Sequence, residues 1–315
     1  MKIEQLRQIL EVYEAGSINR AAQKLYIAQS TLSSSIRAAE EELQQDIFIR
    51  KQKGIELTEF GHFLIEHTLD LLSSYDTILD KTKELRNNSP TTKFRVSAYY
   101  LLFANRIFYQ LYNKYSDKNI EFVYKTQSRE RTLLDVARGK SEIGLLAMPI
   151  FLKPQWLNLM HSLGLEYCLL AEEPPRILFN KTSSLNDIKK DTITIDELQN
   201  YTMISIKEQL ELFIHMDAEI VNMFHPHKHI QINDRDLLMG MLLQATNSYY
   251  VATLNQNAYK IECYDPQIRT LLVEDATYFY EFGLVKRQNS NLSALVKEYI
   301  ALIREAIGAN ENSPN

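Results

Sequence analysis

Apolar residues at Leu6, Ile9, Leu10 and Tyr13 recur at helical spacing, which predicts a first helix over residues 2–14 that Gly16 ends. Ser17 is placed to cap a second helix, its hydroxyl reaching the backbone N–H of Asn19 or Arg20. In a third segment, residues 29–43, Leu32, Ile36, Ala39 and Leu43 form one narrow stripe while Ser30, Ser33, Ser34 and Arg37 lie almost opposite. Residues 48–50 and 55–57 alternate like two strands around a basic tip, Lys51-Gln-Lys-Gly54. Thr58 can then cap a long helix over 59–86, where Leu64, Leu71, Ile78 and Leu85 repeat every seven positions with Tyr75 in the offset between them. Such columns predict pairing with a second copy of the same helix, and packing within its own chain is the alternative. A polar stretch, residues 87–92, breaks the pattern.

From residue 93 the period alternates between two and 3.6. Strands are expected at 94–99, 120–126 and 142–148 with helices at 101–115 and 129–138. A second unit follows from about 163, with strands at 167–171, 176–179, 202–206 and 249–254, a helical segment at 195–200 and a helix at 234–245. Strands at 268–273 and 280–286 and a helix at 290–307 close the chain. This alternation points to sheets with parallel strands flanked by helices. The expected class is α+β multidomain. Residues 1–58 form a helical domain with a hairpin, 59–92 a linker helix, and 93–315 two α/β subdomains, about 93–162 with 268–315, and 163–267.

Charge complicates the reading of the polar stripe. The chain carries a net −5, and residues 1–88 hold 11 basic against 14 acidic side chains, whereas nucleic-acid binders are usually basic. No acid occurs between Ala15 and Ala39, a stretch containing Arg20, Lys24 and Arg37, and Arg50, Lys51 and Lys53 share another acid-free run. A local basic surface on an acidic domain is sufficient for phosphate contact. A polar helix face is most often just solvated, but such faces are rich in Glu and Lys. Short hydroxyls instead let a helix sit deep in a groove.

With 45% apolar residues, no run long enough to span a bilayer and no secretory leader pattern, the chain is expected to be cytoplasmic. Cys168 and Cys263 lie far apart, outside CxxC spacing and without basic sequence neighbours, so inert thiols are expected. His225, His227 and His229 alternate just before residues 230–232, and a strand there would align them. An exposed His-rich turn explains them equally well, and neither a metal nor a cofactor is expected. A catalytic reading of the α/β region finds no GxSxG, phosphate-cradling glycine loop or HExxH.

The first 65 residues resemble the winged helix-turn-helix of LysR-type transcriptional regulators. Gln5-Leu6, Gly16-Ser17, Arg20-Ala-Ala22, Leu25, Gln29, Leu32-Ser33, Ile36, Glu40, Glu42-Leu43, Phe48, Arg50, Leu57-Thr58 and Gly61 carry the likeness. After Pro90 it thins to Leu133-Leu-Asp-Val-Ala-Arg-Gly139 and Glu142-Ile-Gly-Leu145. The resemblance implies a linker-helix dimer, joined further into a tetramer, and two subdomains like a periplasmic binding protein that clasp a small-molecule effector. RNA polymerase is a further partner on that reading. Carried over, the double-stranded DNA readers would be Gln29, Ser30, Ser33, Ser34 and Arg37, with Ser17, Thr31, Arg50, Lys51, Lys53 and Thr58 on the backbone or in the minor groove. The chain departs from the family at Ala28, Ser30 and Ser34, where Ser, Pro and Arg are common, and near Gln45, where a Gly is. Effector positions would be Tyr99, Tyr100, Thr126, Ser128, Ser205, Thr246 and Asn247, at the carboxyl ends of strands. None is Arg or Lys, and the tyrosine pair replaces a small hydroxyl residue. A constitutive oligomerisation module without effector is therefore the alternative, and an enzyme the remote one.

Overall fold

The computed structural model describes residues 1–51, 54–87, 92–207, 216–252 and 265–308, so Lys53 and Cys263 lie outside it, as do the side chains of Arg50, Lys51 and Leu85. Three helices, α1 (Ile3–Ala15), α2 (Ile18–Lys24) and α3 (Gln29–Leu43), precede a hairpin of β1 (Phe48–Lys51) and β2 (Gly54–Leu57). Gly16 ends α1 in the left-handed region at φ 59°, a conformation that costs a glycine little. Leu6, Ile9, Leu10 and Val12 of α1 bury against Ala21, Ala22, Leu32, Ile36 and Ala39, so the apolar stripe of α3 faces inward and its polar stripe is left outside.

The linker helix α4 (Glu59–Asn87) starts tight against this bundle. Thr58 Oγ1 accepts from the Gly61 N–H (2.8 Å) and donates to Asp46 O (2.6 Å), and a Cβ at Gly61 would stand 2.3 Å from Ile47 O. Leu64, Ile65, Leu69 and Leu72 are buried in the chain's own core, whereas Leu71, Tyr75, Ile78 and Leu79 are exposed. The first heptad position, Leu64, thus packs inward, whereas Leu71 and Ile78 do not.

Two sheets follow. Their elements run β3 (Thr92–Ala98), α5 (Leu102–Lys114), β4 (Ile120–Thr126), α6 (Arg129–Ala137), β5 (Ile143–Pro149), α7 (Lys153–Ser162), β6 (Leu165–Glu173), β7 (Arg176–Asn180), β8 (Thr192–Ile193), β9 (Thr202–Ile206), α8 (Met216–Phe224), β10 (Lys228–Ile232), α9 (Arg235–Gln244), β11 (Ser248–Ala252), β12 (Ile268–Val273), β13 (Tyr280–Arg287) and α10 (Ala294–Ile307). One sheet has strand order β4-β3-β5-β13-β6 and the other β10-β9-β11-β7-β12-β8. The strands β3, β4 and β5 are parallel, as are β9, β10 and β11, while β13 and β7 run antiparallel to their neighbours.

This pairing corrects the expected subdomain boundaries. Residues 165–173, assigned to the second subdomain, form the edge of the first sheet beside β13, and residues 268–273, assigned to the first, lie in the second sheet between β7 and β8. The chain changes sheets after residue 173 and again after residue 273. Pro174-Pro175, which cannot donate to a ladder, marks the first change. At the crossing the Val273 N–H donates to Pro175 O (3.1 Å). The helical segment at 195–200 is a short 3-10 turn, Asp196–Asn200, and the last helix begins at Ala294, where the Ser293 hydroxyl accepts from the Val296 N–H (3.4 Å). Helices α7 and α8 and strand β8 were not expected.

Candidate nucleic-acid interface and effector cleft

Helix α3 enters solvent with its first turn open. Ala28 precedes it in extended backbone with no side-chain cap, and no acid lies in the first turn, so backbone N–H groups there can meet an anion. Gln29, Ser30, Thr31, Ser34 and Arg37 are exposed and Ser33 is half-buried. The Gln29 amide Nε2 donates to Ser33 Oγ (3.0 Å), one turn along the same face. Ser17 does occupy the cap position of α2, but its hydroxyl makes no capping bond, contrary to expectation. Its backbone alone closes the turn, the Ala21 N–H donating to Ser17 O (3.0 Å). The Thr58 hydroxyl is engaged in capping α4. A residue that periodicity did not single out is Tyr26, 96% exposed in the turn before α3 and held at φ 55°.

The acid-free run is not acid-free in space. Lys24 pairs with Glu11 and, at 3.6 Å, with Glu14, because α1 and α2 pack with their last turns together. Arg37 Nε lies 3.2 Å from Glu41, one helical turn on. Both contacts cross from the acid-free stretch to acids just outside it, which a linear charge count misses.

On the effector side, Tyr99 and Tyr100 follow β3, Thr126 ends β4 and Ser128 lies two residues on, at the carboxyl edge of parallel strands. Tyr99 is buried and Tyr100 is exposed, their rings edge to face with centroids 5.6 Å apart. Ser128 caps α6, its hydroxyl accepting from the Arg131 N–H (3.4 Å). Two arginines that no expectation named close on the tyrosines. Arg129 lies 3.6 Å from the Tyr99 ring centre and donates through Nε to Ala147 O (2.5 Å). Arg235, the first residue of α9 on the other sheet, donates to the Tyr99 hydroxyl (2.5 Å) and stacks 4.0 Å from the Tyr100 ring centre. The cue in sequence was their position beside helix caps, Arg129 after Ser128 and Arg235 after Asp234.

Ser205 is buried near the carboxyl end of β9, its hydroxyl 2.8 Å from His229 Nε2. Thr246 and Asn247 do not join this group. They precede β11, which begins at Ser248, and Asn247 O accepts from the N–H of Thr202, the first residue of β9. Since β9 and β11 are parallel, both residues sit at the amino edge of the sheet. Of the three histidines only His229 lies on a strand, and His225 follows α8 at φ 43°. Cys168 is half-buried, and although no basic residue flanks it in sequence, Arg304 Nη2 of α10 stands 3.8 Å from its Sγ.

Comparison with known proteins covers both halves of the chain. Residues 3–62 match the model of the bacterial regulatory helix-turn-helix protein, lysR family, and residues 96–308 that of the LysR substrate binding domain. The HTH-type transcriptional regulator BenM of Acinetobacter baylyi is 23% identical over 310 residues, 91% of this chain and 96% of its own length. A probable nitrogen assimilation transcriptional activator of Synechococcus elongatus is 24% identical, with 98% of this chain and 96% of the relative aligned. A probable RuBisCO transcriptional regulator of Emiliania huxleyi is 30% identical over 148 residues, where the chain spans 46% of that relative's length. The crystal structure of full-length BenM shares the fold at a TM-score of 0.50 and 19% identity, with both chains covered completely.

Proposed function

The chain belongs to the LysR family of DNA-binding transcriptional regulators, and from that premise we propose that the open polar face of α3 reads base edges while Ser17, Thr31, Tyr26 and the hairpin hold the backbone. The observation that carries this is the division of α3, with Leu32, Ile36 and Ala39 buried and Gln29, Ser30, Ser34 and Arg37 exposed. Gln29 can bond bidentately to an adenine edge, the hydroxyls to bases or phosphates, and Arg37 to guanine or phosphate. Duplexes selected from a random pool supply the test. Gln29→Ala and Arg37→Ala should each weaken binding by ~1–3 kcal/mol, with Gln29→Ala also relaxing base preference. Unchanged binding by both would remove α3 from the groove.

The exposed residues Leu71, Tyr75, Ile78 and Leu79 support a homodimer through α4. Pairing of dimers into a tetramer and a contact with RNA polymerase belong to the same reading, in a cytoplasmic, non-catalytic protein. For the effector, the guanidiniums of Arg129 and Arg235 beside the tyrosine pair favour a small organic anion that would take the Tyr99 hydroxyl's place on Arg235. The relatives are named for unrelated processes and indicate no single effector. One observation favours a second reading, a module needing no effector: Tyr99 and Arg235 already bridge the two subdomains. Thermal stabilisation by a carboxylate that is lost in Arg235→Ala would decide for the effector, and silence across a broad panel for the second reading.

A further inference from the structure

A second basic site lies outside both surfaces, where the helix-turn-helix meets the first sheet's subdomain. A cavity of about 400 Å³ opens there, and six cations line it: Arg20 and Lys24 from α2, Lys125 from β4, and Arg131, Arg138 and Lys140 on or beside α6. Only Glu14 and Asp135 oppose them from its walls, and both are engaged. Asp135 accepts from Lys125 Nζ (2.7 Å) and Gln127 Nε2 (3.1 Å), and Glu14 pairs with Arg138 and Lys24. Among the described residues Arg20, Arg131 and Lys140 have no carboxylate partner.

The electrostatics of the cavity register this surplus. Burial and the Arg138 charge push the Lys140 ammonium below its ordinary range, against the pull of Asp135 and with Lys125 and Lys24 adding to the effect. Burial pulls the Arg138 guanidinium to about 10, and its Nε–H is buried without a hydrogen-bond partner. Holding like charges in a partly enclosed site is costly unless an anion occupies it.

We propose that this cavity is a binding site for a compact phosphate-bearing anion of three or more charges, the oligophosphate class, held jointly by the helix-turn-helix and the regulatory half. Guanidinium forks from Arg20 and Arg131 can take oxygens bidentately and Lys140 adds a point charge. Because the ligands come from α2 on one side and from α6 and its following turn on the other, the anion favours the arrangement in which these elements are docked. It is therefore a regulatory input distinct from the cleft at Tyr99 and Arg235.

Tripolyphosphate is the probe, titrated calorimetrically into the full chain without DNA. The double variant Arg131→Ala with Lys140→Ala should bind about tenfold more weakly. Lys114→Ala, a cation paired with Glu298 outside the cavity, should bind as the unmodified chain does. No heat at about 1 mM tripolyphosphate, or equal affinity in the double variant, would overturn the proposal. It would also fall if the double variant kept its tripolyphosphate affinity but lost duplex affinity with a shallower salt dependence, since these cations would then serve DNA phosphates.

Discussion

Gly283 shows how little freedom some single positions have. A Cβ there would stand 1.8 Å from Cε2 of Tyr167, on the neighbouring strand β6. That ring cannot swing away cheaply, because its hydroxyl donates to Glu281 (3.0 Å), a fully buried carboxylate that also takes Lys153 Nζ (2.7 Å). Gly283→Ala should therefore cost ~1–3 kcal/mol of stability in urea unfolding, and Gly283→Ala with Tyr167→Leu should recover part of it. A neutral Gly283→Ala would mean that the ring yields freely. On the face proposed to meet DNA, Glu41 forms an exposed pair with Arg37 and would compete with phosphate for it, and such pairs add little to stability. Glu41→Gln should leave unfolding unchanged and tighten duplex binding by ~0.3–1 kcal/mol at low salt, an effect that fades as ionic strength rises. The division of α3 into an inner and an outer face was legible in the sequence, since burial of Leu32, Ile36 and Ala39 follows from helical period alone. The sequence could not show that Lys24 is partly neutralised, because Glu11 and Glu14 reach it only through helix packing, whereas the Arg37–Glu41 pair follows from helical period.

Among the elements, α4 separates what periodicity tells from what it conceals. The seven-residue repeat marked Leu64, Leu71 and Ile78 alike, yet Leu64 is sealed against the chain's own three-helix core while Leu71 and Ile78 face outward. A repeat reports that a face is apolar, not which body covers it. The division makes a sharp test of the dimer. Leu71→Glu with Ile78→Glu should leave helix content and duplex-free stability intact and give monomers by light scattering, whereas Leu64→Ala should cost ~2–5 kcal/mol of folding stability. Dimers persisting in the double variant would place the interface elsewhere. Helix α7 was legible but overlooked: Leu152, Trp156, Leu159, Met160 and Leu163 recur at helical spacing, with Trp156 and Met160 buried, and Pro154 stands in its first turn.

The subdomain boundaries could not be read locally, because β6 and β12 are ordinary strands whose sheet is decided by a long-range partner, β13 for one and β7 for the other. The resulting double crossover, at residues 173–176 and 273–280, joins the two sheets through two short segments of chain. Such a joint moves unless something holds it. What holds it at the cleft is Arg235, whose guanidinium donates to the Tyr99 hydroxyl and lies over both tyrosine rings. A charged hydrogen bond contributes ~1.5–3 kcal/mol and a desolvated cation–π contact up to ~2 kcal/mol, enough to bias the joint toward closure. Hydrogen exchange at the Val273 amide, whose bond to Pro175 spans the crossing, reads that bias directly. Arg235→Ala should accelerate it by about tenfold or more, since each ~1.4 kcal/mol lost is a factor of ten. Tyr99→Phe, which keeps the ring but not the hydroxyl, should give a smaller acceleration. Equal exchange in all three proteins would show that the joint is closed by the packing of the crossover strands alone, and that the arginine serves only a ligand.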